Sequence, residues 1–338
     1  MNITIKDVAK RANVSIATVS RVLNQSKPVS PQVREKVMKA VEELGFTVNP
    51  VARSLVMKKS RLIGVLISDI SNMFFSVLVS GVERECFKER YSTLLCSTNG
   101  DVEKELYYLN LLKDQYVDGI IMFTQSLKEE HLRFFENNPI PVVFRSSLGP
   151  ENSRYSYINI NDYQAFYDAA QYLIDLGHKK IGMLSGDLST TGSAYHQRYT
   201  GFRKALEDHG LEFQGKWLLE GDYDIASGYR RGKKLFSMKE IPTAVCCASD
   251  LSAIGAIKAA EEMGLRVPDD LSVMGFDDIP VAEAYRPGLT TVRQPIMEMG
   301  IQSVQMLIQQ IQDKGHNSQE IRIVPHEIIV RESCIKLK

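Results

Sequence analysis

Residues 5–24 read IKDVAKRANVSIATVSRVLN, and the spacing of their apolar positions decides how the chain begins. Val8, Ala9 and Ala12 fall on the inner face of one helix, and Val19, Val22 and Leu23 on the inner face of a second. Asn13–Val14 supplies a tight turn between them, so the stretch predicts a helix-turn-helix. The opposite face of the second helix carries Ala17, Ser20, Arg21 and Asn24. A helix entering the DNA major groove needs such a face: small residues for close approach and a guanidinium to bond guanine in bidentate fashion. Ile16, at its edge, suits a thymine methyl. Thr4, Ser15, Thr18 and Ser20, with the helix N-termini, suit phosphate oxygens. A small helical bundle with no role in DNA binding would share the same inner face.

Punctuation around this stretch extends the reading. Thr4 caps the first helix with Asp7 three residues on, and Ser15 caps the second. Ser30 followed by Pro31 starts a third helix, and Gly45 ends it. Asn49–Pro50 repeats the start signal before a very short helix, from Val51 to about Met57. A helix of that length needs a partner surface to form.

Charge separates the two readings of the head. The 338 residues hold 41 Lys+Arg and 41 Asp+Glu, a net charge of zero. Residues 1–60 carry 11 basic against 4 acidic side chains, a net +7; the rest carry 30 against 37, a net −7. Such asymmetry points to a polyanion at the basic end. No apolar run approaches the ~18 residues that span a bilayer. The N-terminus MNITIKDVAKRAN lacks the apolar stretch of a signal peptide, so the expected location is the cytoplasm, with no membrane partner. The five cysteines form no CxxC and no metal spacing, and adjacent Cys246 and Cys247 read as buried strand thiols.

From Arg61 onward apolar strands alternate with amphipathic helices. RLIGVLISD, STLLCST, GIIMFT, PVVFRS and YINI are followed by KIGMLSG, TAVCCASD, LSVMGFDD, LTTV and IRIVPHEIIV. Helices are expected over 101–117, 162–177, 194–209 and 250–264. Apolar strands between helices imply parallel sheets covered on both faces, and the length implies two lobes. The fold class is therefore an all-α helix-turn-helix head plus a two-lobed α/β body of doubly wound sheets.

The chain resembles the lactose/galactose-repressor family of bacterial transcription regulators. The resemblance rests on IKDVAKRANVS, ATVSRVLN, VREKV, ELGFTVNPVARSL and RLIGVLISDISNMFF. It continues through YLIDLGHKKIGMLSG, GFRKAL, SGYR, PTAVCCASDLSAIGA, MGLRVPDDLSVMGFDD and LTTVRQP, essentially the whole chain. The head is especially similar to the purine-repressor and catabolite-control branches. The resemblance implies a DNA-binding domain over 1–48, a hinge helix and linker over 49–60, and an effector-binding and dimerisation domain over 61–338. Within the last, the N-lobe is expected at about 61–160 and 290–320, and the C-lobe at about 161–289 and 321–338.

By the same resemblance Ile16, Ala17 and Arg21 read bases, and Asn49, Ala52, Arg53 and Leu55 act on DNA from the hinge. Leu55 matches a leucine that wedges into the central minor-groove step, where unstacking costs a few kcal/mol and is recovered by added contacts. Arg53, Lys58, Lys59 and Arg61 add backbone charge. The expected partner is a palindromic operator with a central CG step, read by a homodimer because one head covers only a half-site. No heptad segment follows the last strand, which favours a dimer over a tetramer.

Ligands of open α/β sheets bind outside the carboxyl ends of strands. Asp69, Phe74, Phe75, Arg145, Asn161, Arg198, Tyr223, Asp250 and Asp277 lie at such ends and match family ligand positions. Carboxylates and arginines bond hydroxyls, and aromatic faces cover a sugar ring. Each has a plainer reading too: Asp250 and Asp277 as helix caps, Phe74 and Phe75 as core, Arg198 as a surface residue. Arg145 departs from the acidic or small residue of many sugar-binding relatives. An added cation favours an anionic ligand such as a uronate or sugar phosphate, unless it pairs with a cleft aspartate.

The function expected is that of a DNA-binding transcription regulator, a repressor, whose operator affinity changes with a sugar-like effector. Induction and corepression both remain open, as does a catabolite-control type that uses a protein corepressor. A doubly wound enzyme is the rival class. Against it, the sequence has no GxGxxG after a strand, no GxxxxGK[ST], no HExxH and no GxSxG. No catalytic residue, metal or cofactor is therefore expected. A periplasmic solute-binding protein would need a leader and would have no such head. His178 and His209 read as cations at helix C-termini.

Overall fold

The computed structural model describes residues 3–24, 28–46, 60–124, 127–145, 155–189, 193–313 and 319–337. Two compact units divide the chain, residues 1–60 and residues 61–338.

In the first unit, α1 (Ile5–Ala12), α2 (Ile16–Asn24) and α3 (Pro31–Leu44) enclose one small core. Val8, Val19 and Val37 are fully buried at its centre, with Ala9, Ala12, Val22 and Ala40 around them. The caps follow from residue chemistry. The Asp7 carboxylate accepts from the Thr4 amide at 2.8 Å and from its hydroxyl at 2.7 Å, closing the first turn. The Ser15 hydroxyl accepts from the Thr18 amide at 3.1 Å and lies 2.9 Å from the Thr18 hydroxyl. Asn13 and Gly45 adopt left-handed φ of 51° and 60° and end α1 and α3.

The second unit holds two six-stranded sheets. Strands β1 (Leu62–Ile67), β2 (Ser92–Ser97), β3 (Gly119–Phe123), β4 (Val142–Phe144), β5 (Ser156–Ile160) and β11 (Ile321–Val324) form one, in the order β11-β5-β4-β3-β1-β2. Strands β6 (Ile181–Ser185), β7 (Leu218–Glu220), β8 (Ala244–Cys247), β9 (Ser272–Asp277), β10 (Thr290–Arg293) and β12 (Glu327–Ile329) form the other, in the order β12-β10-β9-β8-β6-β7. Among the described residues only the β10–β12 pairing is antiparallel. The inner strands β3, β6, β8 and β9 are buried along their whole length, which explains why their sequences lack alternation. Cys246 and Cys247 are buried free thiols of β8, as their apolar setting predicts.

Two lobe assignments need correction. Residues 290–293, expected in the N-lobe, pair Thr290–Arg293 with Met274–Asp277 in the second sheet. Residues 321–324, expected in the C-lobe, pair with Tyr157–Ile160 in the first. Pro325 is the cause: it has no N–H to donate and splits IRIVPHEIIV into β11 and β12, which join different sheets. The chain therefore crosses between lobes three times, after β5, β10 and β11.

His178 is likewise not a helix-end cation. It is buried, with Nδ1 3.0 Å from the Thr243 hydroxyl and Nε2 3.1 Å from the Ile335 carbonyl. Burial holds its pKa below the ordinary imidazole range, so it ties the C-terminal residues to the second lobe as a neutral ring. His209, at the end of the helix Ala194–Asp208, does reach a terminal carbonyl, that of Ala205 at 2.8 Å.

Close helix pairs flank both sheets. A Cβ on Gly228 would stand 2.2 Å from the Ser252 carbonyl oxygen, and one on Gly255 2.1 Å from that of Ile225. The helices Ile225–Phe236 and Asp250–Glu262 thus cross backbone on backbone. Gly228→Ala should destabilise the second unit by about 1–3 kcal/mol, the usual range for overpacking. Thermal unfolding of the full chain checks this; an unchanged melting temperature would show that the helices can separate freely.

Candidate functional site

Each arginine at the cleft has a different local origin. Arg198 lies one turn into the helix Ala194–Asp208, whose N-terminus Ser193 caps by accepting from the His196 amide at 3.2 Å. Its side chain turns inward and is only 4% exposed. Nε donates to Asp162 at 2.7 Å and Nη1 to the Ala248 carbonyl at 2.9 Å. Its guanidinium carbon lies 3.9 Å from the centroid of the Phe276 ring, a cation–π contact in a dry setting. Asp162 is fully buried and also accepts from the Asn159 amide at 3.0 Å. Arg198 is charged: its partners Asp162 and Asp277 outweigh the burial that opposes it.

Arg145 ends β4 in the first lobe. Its Nη2 donates to the Gln294 amide oxygen at 3.2 Å, and its guanidinium carbon lies 5.0 Å from the Phe74 ring centroid. Its Nε is buried without a hydrogen-bond partner. Burial lowers its pKa from the ordinary guanidinium value, with Arg198 adding repulsion against the pull of Asp162. Gln294, on the crossover after β10, passes the contact on: its Nε2 donates to Asp277 at 2.6 Å. One amide thus links a cation of the first lobe to a carboxyl of the second.

Asp277 ends β9 with φ at +120°, a region that costs a non-glycine residue strain and recurs at functional positions. Asp250, fully buried, begins the helix after β8 and accepts from the Thr291 hydroxyl at 2.5 Å and the Ile279 amide at 2.8 Å. Burial pushes both carboxyls well above the usual carboxylate range. Asp278 adds to the effect on Asp250, and Asp250 to that on Asp277. Tyr223 stacks on Tyr195 with centroids 4.7 Å apart. Burial pushes the Tyr195 phenol up to about 12, so it stays a neutral hydroxyl.

The residues proposed from sequence therefore divide. Phe74, Arg145, Arg198, Tyr223 and Asp277 converge with Tyr195, Asp162 and Gln294. Phe75 is 8% exposed and packs edge-on against Phe74, 5.2 Å away, as core. Asn161 is exposed and caps the helix Asp162–Asp175 by accepting from the Gln164 amide at 3.0 Å. The Asp69 carboxylate is taken up by Ser71, whose amide lies at 2.8 Å and hydroxyl at 2.7 Å. Asp250 braces the floor from below through Thr291. Asp162, Tyr195 and Gln294 escaped the sequence reading. Asp162 had one available signal, the Asn-Asp start of a helix directly after a strand.

In the head, Ile16 is 46% exposed, and Ala17 and Arg21 are exposed on the same side of α2. Thr18 and Ser20 are half-buried; Thr4 and Ser15 are exposed at the two helix starts. Asn24 ends α2. Asn49, Ala52, Arg53 and Leu55 lie outside the described residues. Among the described residues no group of His, Cys, Asp and Glu could hold a metal, and no helix is long and apolar enough to cross a membrane.

Comparison with known proteins adds a family context. The model of bacterial regulatory proteins of the lacI family matches residues 4–49, and that of the periplasmic binding protein-like domain matches residues 170–334. The HTH-type transcriptional repressor PurR of Vibrio vulnificus (strain CMCP6) is 38% identical over 335 residues, covering 99% of both chains. The lac repressor dimer bound to operator and the anti-inducer ONPF superposes with a TM-score of 0.86 at 29% identity, covering 99% of this chain and 100% of that one. The complex of the transcriptional regulator CelR with cellobiose gives 0.74 at 28% identity, covering 98% and 99%.

The raised carboxyl of Asp277 has a measurable consequence. Its native pKa exceeds its unfolded value, so the folded chain binds the extra proton between the ordinary carboxylate range and the raised value. Stability then falls as pH rises through that window. The lowered His178 has the opposite sign below about pH 6.5, so the neutral-to-alkaline side is the place to look. Asp277→Asn should gain stability relative to the parent as pH rises from 7 to 8. Parallel melting curves at the two pH values check it; a constant offset would place an ionised carboxylate at 277.

Proposed function

The chain belongs to the lacI family of bacterial regulatory proteins, and from that premise we propose a ligand-controlled repressor whose effector is an anionic, hydroxyl-rich ring compound. A sugar acid or a sugar phosphate is the class that fits. The chain acts on a palindromic operator as a homodimer, one head per half-site, as the two-fold symmetry of such sites requires.

The imbalance of charge in the cleft carries the choice of ligand. Arg198 has its carboxylate in Asp162. Arg145 leans on the neutral amide of Gln294, and Asp277, the remaining acid, is drawn toward its neutral form. One guanidinium is left for an anion, flanked by the Phe74 face. Ser68 and Ser185, just beyond β1 and at the end of β6, hold buried hydroxyls without hydrogen-bond partners. A buried unpaired polar group costs about 1–3 kcal/mol, and ligand hydroxyls at these strand ends would recover part of it.

On the DNA side, Arg21 bonds a guanine edge, Ile16 and Ala17 approach the neighbouring bases, and Asn24 lies at the end of the reading helix. Thr4, Ser15, Thr18 and Ser20 hold the phosphates. Asn49, Ala52 and Arg53 extend the contact through the hinge, and Leu55 wedges the central step, as the family resemblance implies. The effector changes operator affinity only by its differential affinity for the two states of the dimer.

Two measurements test this reading. Arg21→Ala should lose about 1–3 kcal/mol per half-site against the specific palindrome while keeping salt-dependent binding to random duplex. Equal loss on both duplexes would remove Arg21 from base recognition. Calorimetry of the full chain against D-glucose, D-glucuronate and glucose 6-phosphate should show binding of the anions, weakened in Arg145→Gln. Tight binding of glucose alone would overturn the anionic class.

A further inference from the structure

Behind the Tyr223 wall lies a third guanidinium that neither the DNA face nor the ligand set uses. Arg231, on the helix Ile225–Phe236, is 7% exposed. Its hydrogen bonds run to main-chain carbonyls. Nε donates to Ser227 at 3.2 Å, Nη1 to Ser185 at 2.6 Å and Leu219 at 3.3 Å, and Nη2 to Asp222. Ser185 ends β6, Leu219 belongs to the edge strand β7, and Asp222 lies in the connection that leads to Tyr223. One planar fork therefore ties three separate pieces of backbone. A lysine, with three donors radiating from one point, cannot reproduce that geometry.

The surroundings leave this segment little room. The Gly221 amide donates to the Ser185 carbonyl at 3.2 Å, and the Asp222 amide to the Ser227 hydroxyl at 3.0 Å. The Ser249 hydroxyl donates to the Tyr223 carbonyl at 3.0 Å. A Cβ on Gly221 would meet the Ser227 hydroxyl at 2.8 Å and Arg231 Nε at 3.0 Å. A Cβ on Gly186 would stand 1.5 Å from the Tyr223 hydroxyl, so the phenol lies directly on the backbone that follows β6. Burial lowers the pKa of Arg231, with Asp222 and Asp224 among the groups that oppose the shift. Taking that cation out of water is a cost that a well-packed apolar side chain would avoid. What the cation supplies instead is the position of the 218–224 segment.

We propose that Arg231 is a positioning residue for effector recognition: its carbonyl-bonded fork holds residues 218–224 so that Tyr223 stays stacked on Tyr195, with its hydroxyl at the end of β6. The proposal rests on the reading of the cleft as the effector site. It adds that ligand affinity depends on a side chain that acts through the backbone it holds, above all the segment carrying Tyr223.

Arg231→Lys in the full chain tests it by two independent readouts. Hydrogen exchange at the Gly221 and Asp222 amides should accelerate at least about tenfold, while β8 and β9 keep their parental rates. Binding of D-glucuronate and glucose 6-phosphate should weaken about tenfold, the scale that supporting contacts carry in other sites. The double variant with Tyr223→Ala should lose less than the two single losses combined. Parental exchange at 221 and 222, acceleration spread over the whole sheet, or losses that simply add would overturn the proposal. If the local exchange changes but the parent binds neither anion, the ligand class fails while the clamp stands. If the parent and Arg231→Lys bind equally tightly with unchanged exchange, the clamp fails while the ligand class stands.

Discussion

The buried pair of Arg198 and Asp162, 2.7 Å apart with side chains 4% and 0% exposed, is the contact around which the ligand-facing half of the molecule is arranged. Two charges withdrawn from water are tolerated only when each keeps a full set of partners, and removing one partner typically costs about 3–5 kcal/mol. Asp162 opens the first helix after the chain leaves the first sheet, and Arg198 comes from the next long helix of the second lobe. Their pairing fixes those two helix starts against each other. The Ala248 carbonyl and the rings of Phe166 and Phe276 complete the shell. Arg198 already has a carboxylate partner in Asp162, which offsets its charge toward an anion. In the proposed reading the anion falls to Arg145, which comes from the other lobe and donates to the neutral amide of Gln294.

The same logic explains the distribution of charge along the chain. Within the body of residues 61–338, Arg145, Arg198 and Arg231 are buried or half-buried and bound to amide, carboxylate or carbonyl oxygens. These internal cations contribute little to the outer field. The net −7 of the body, which counts these cations, stands against the net +7 of residues 1–60. A formal zero conceals a basic unit that attracts phosphate and an acidic unit that repels it. Affinity for the duplex is thereby separated from ligand chemistry in one polypeptide.

Local chemistry was legible wherever a few neighbouring residues decide the outcome. Thr4–Asp7, Ser15, Ser30–Pro31 and Gly45 mark helix ends because capping depends on backbone groups within one turn. The strands β1, β6, β8 and β9 are visible as apolar runs because both faces are buried. What the sequence hid depends on pairing between distant segments. IRIVPHEIIV looks like one strand, yet Pro325 sends its halves to different sheets. His178 follows a helix end, as a cation would, but Thr243 and Ile335 close over it and make it neutral. Asn161 and Asp69 occupy strand ends like the true convergent residues. Only the structure shows that the Asn161 side chain accepts from the Gln164 amide and that of Asp69 from Ser71.

Gln294 shows how a ligand in such a cleft reaches the rest of the body. It lies on one of three crossovers, between β10 and the helix Ile296–Gln312. That helix packs against Met73–Lys88 so closely that a Cβ on Gly300 would stand 2.3 Å from the Leu78 carbonyl, and one on Gly81 2.2 Å from that of Met297. Helices in backbone contact cannot absorb a displacement by compressing side chains; they shift together. Gln294 joins the two lobes through both ends of its amide, its oxygen to Arg145 and its nitrogen to Asp277, so a ligand that engages Arg145 acts on one end of that link. In the proposed reading, the crossovers and the Gln294 link are where a ligand between the lobes would act on their relation.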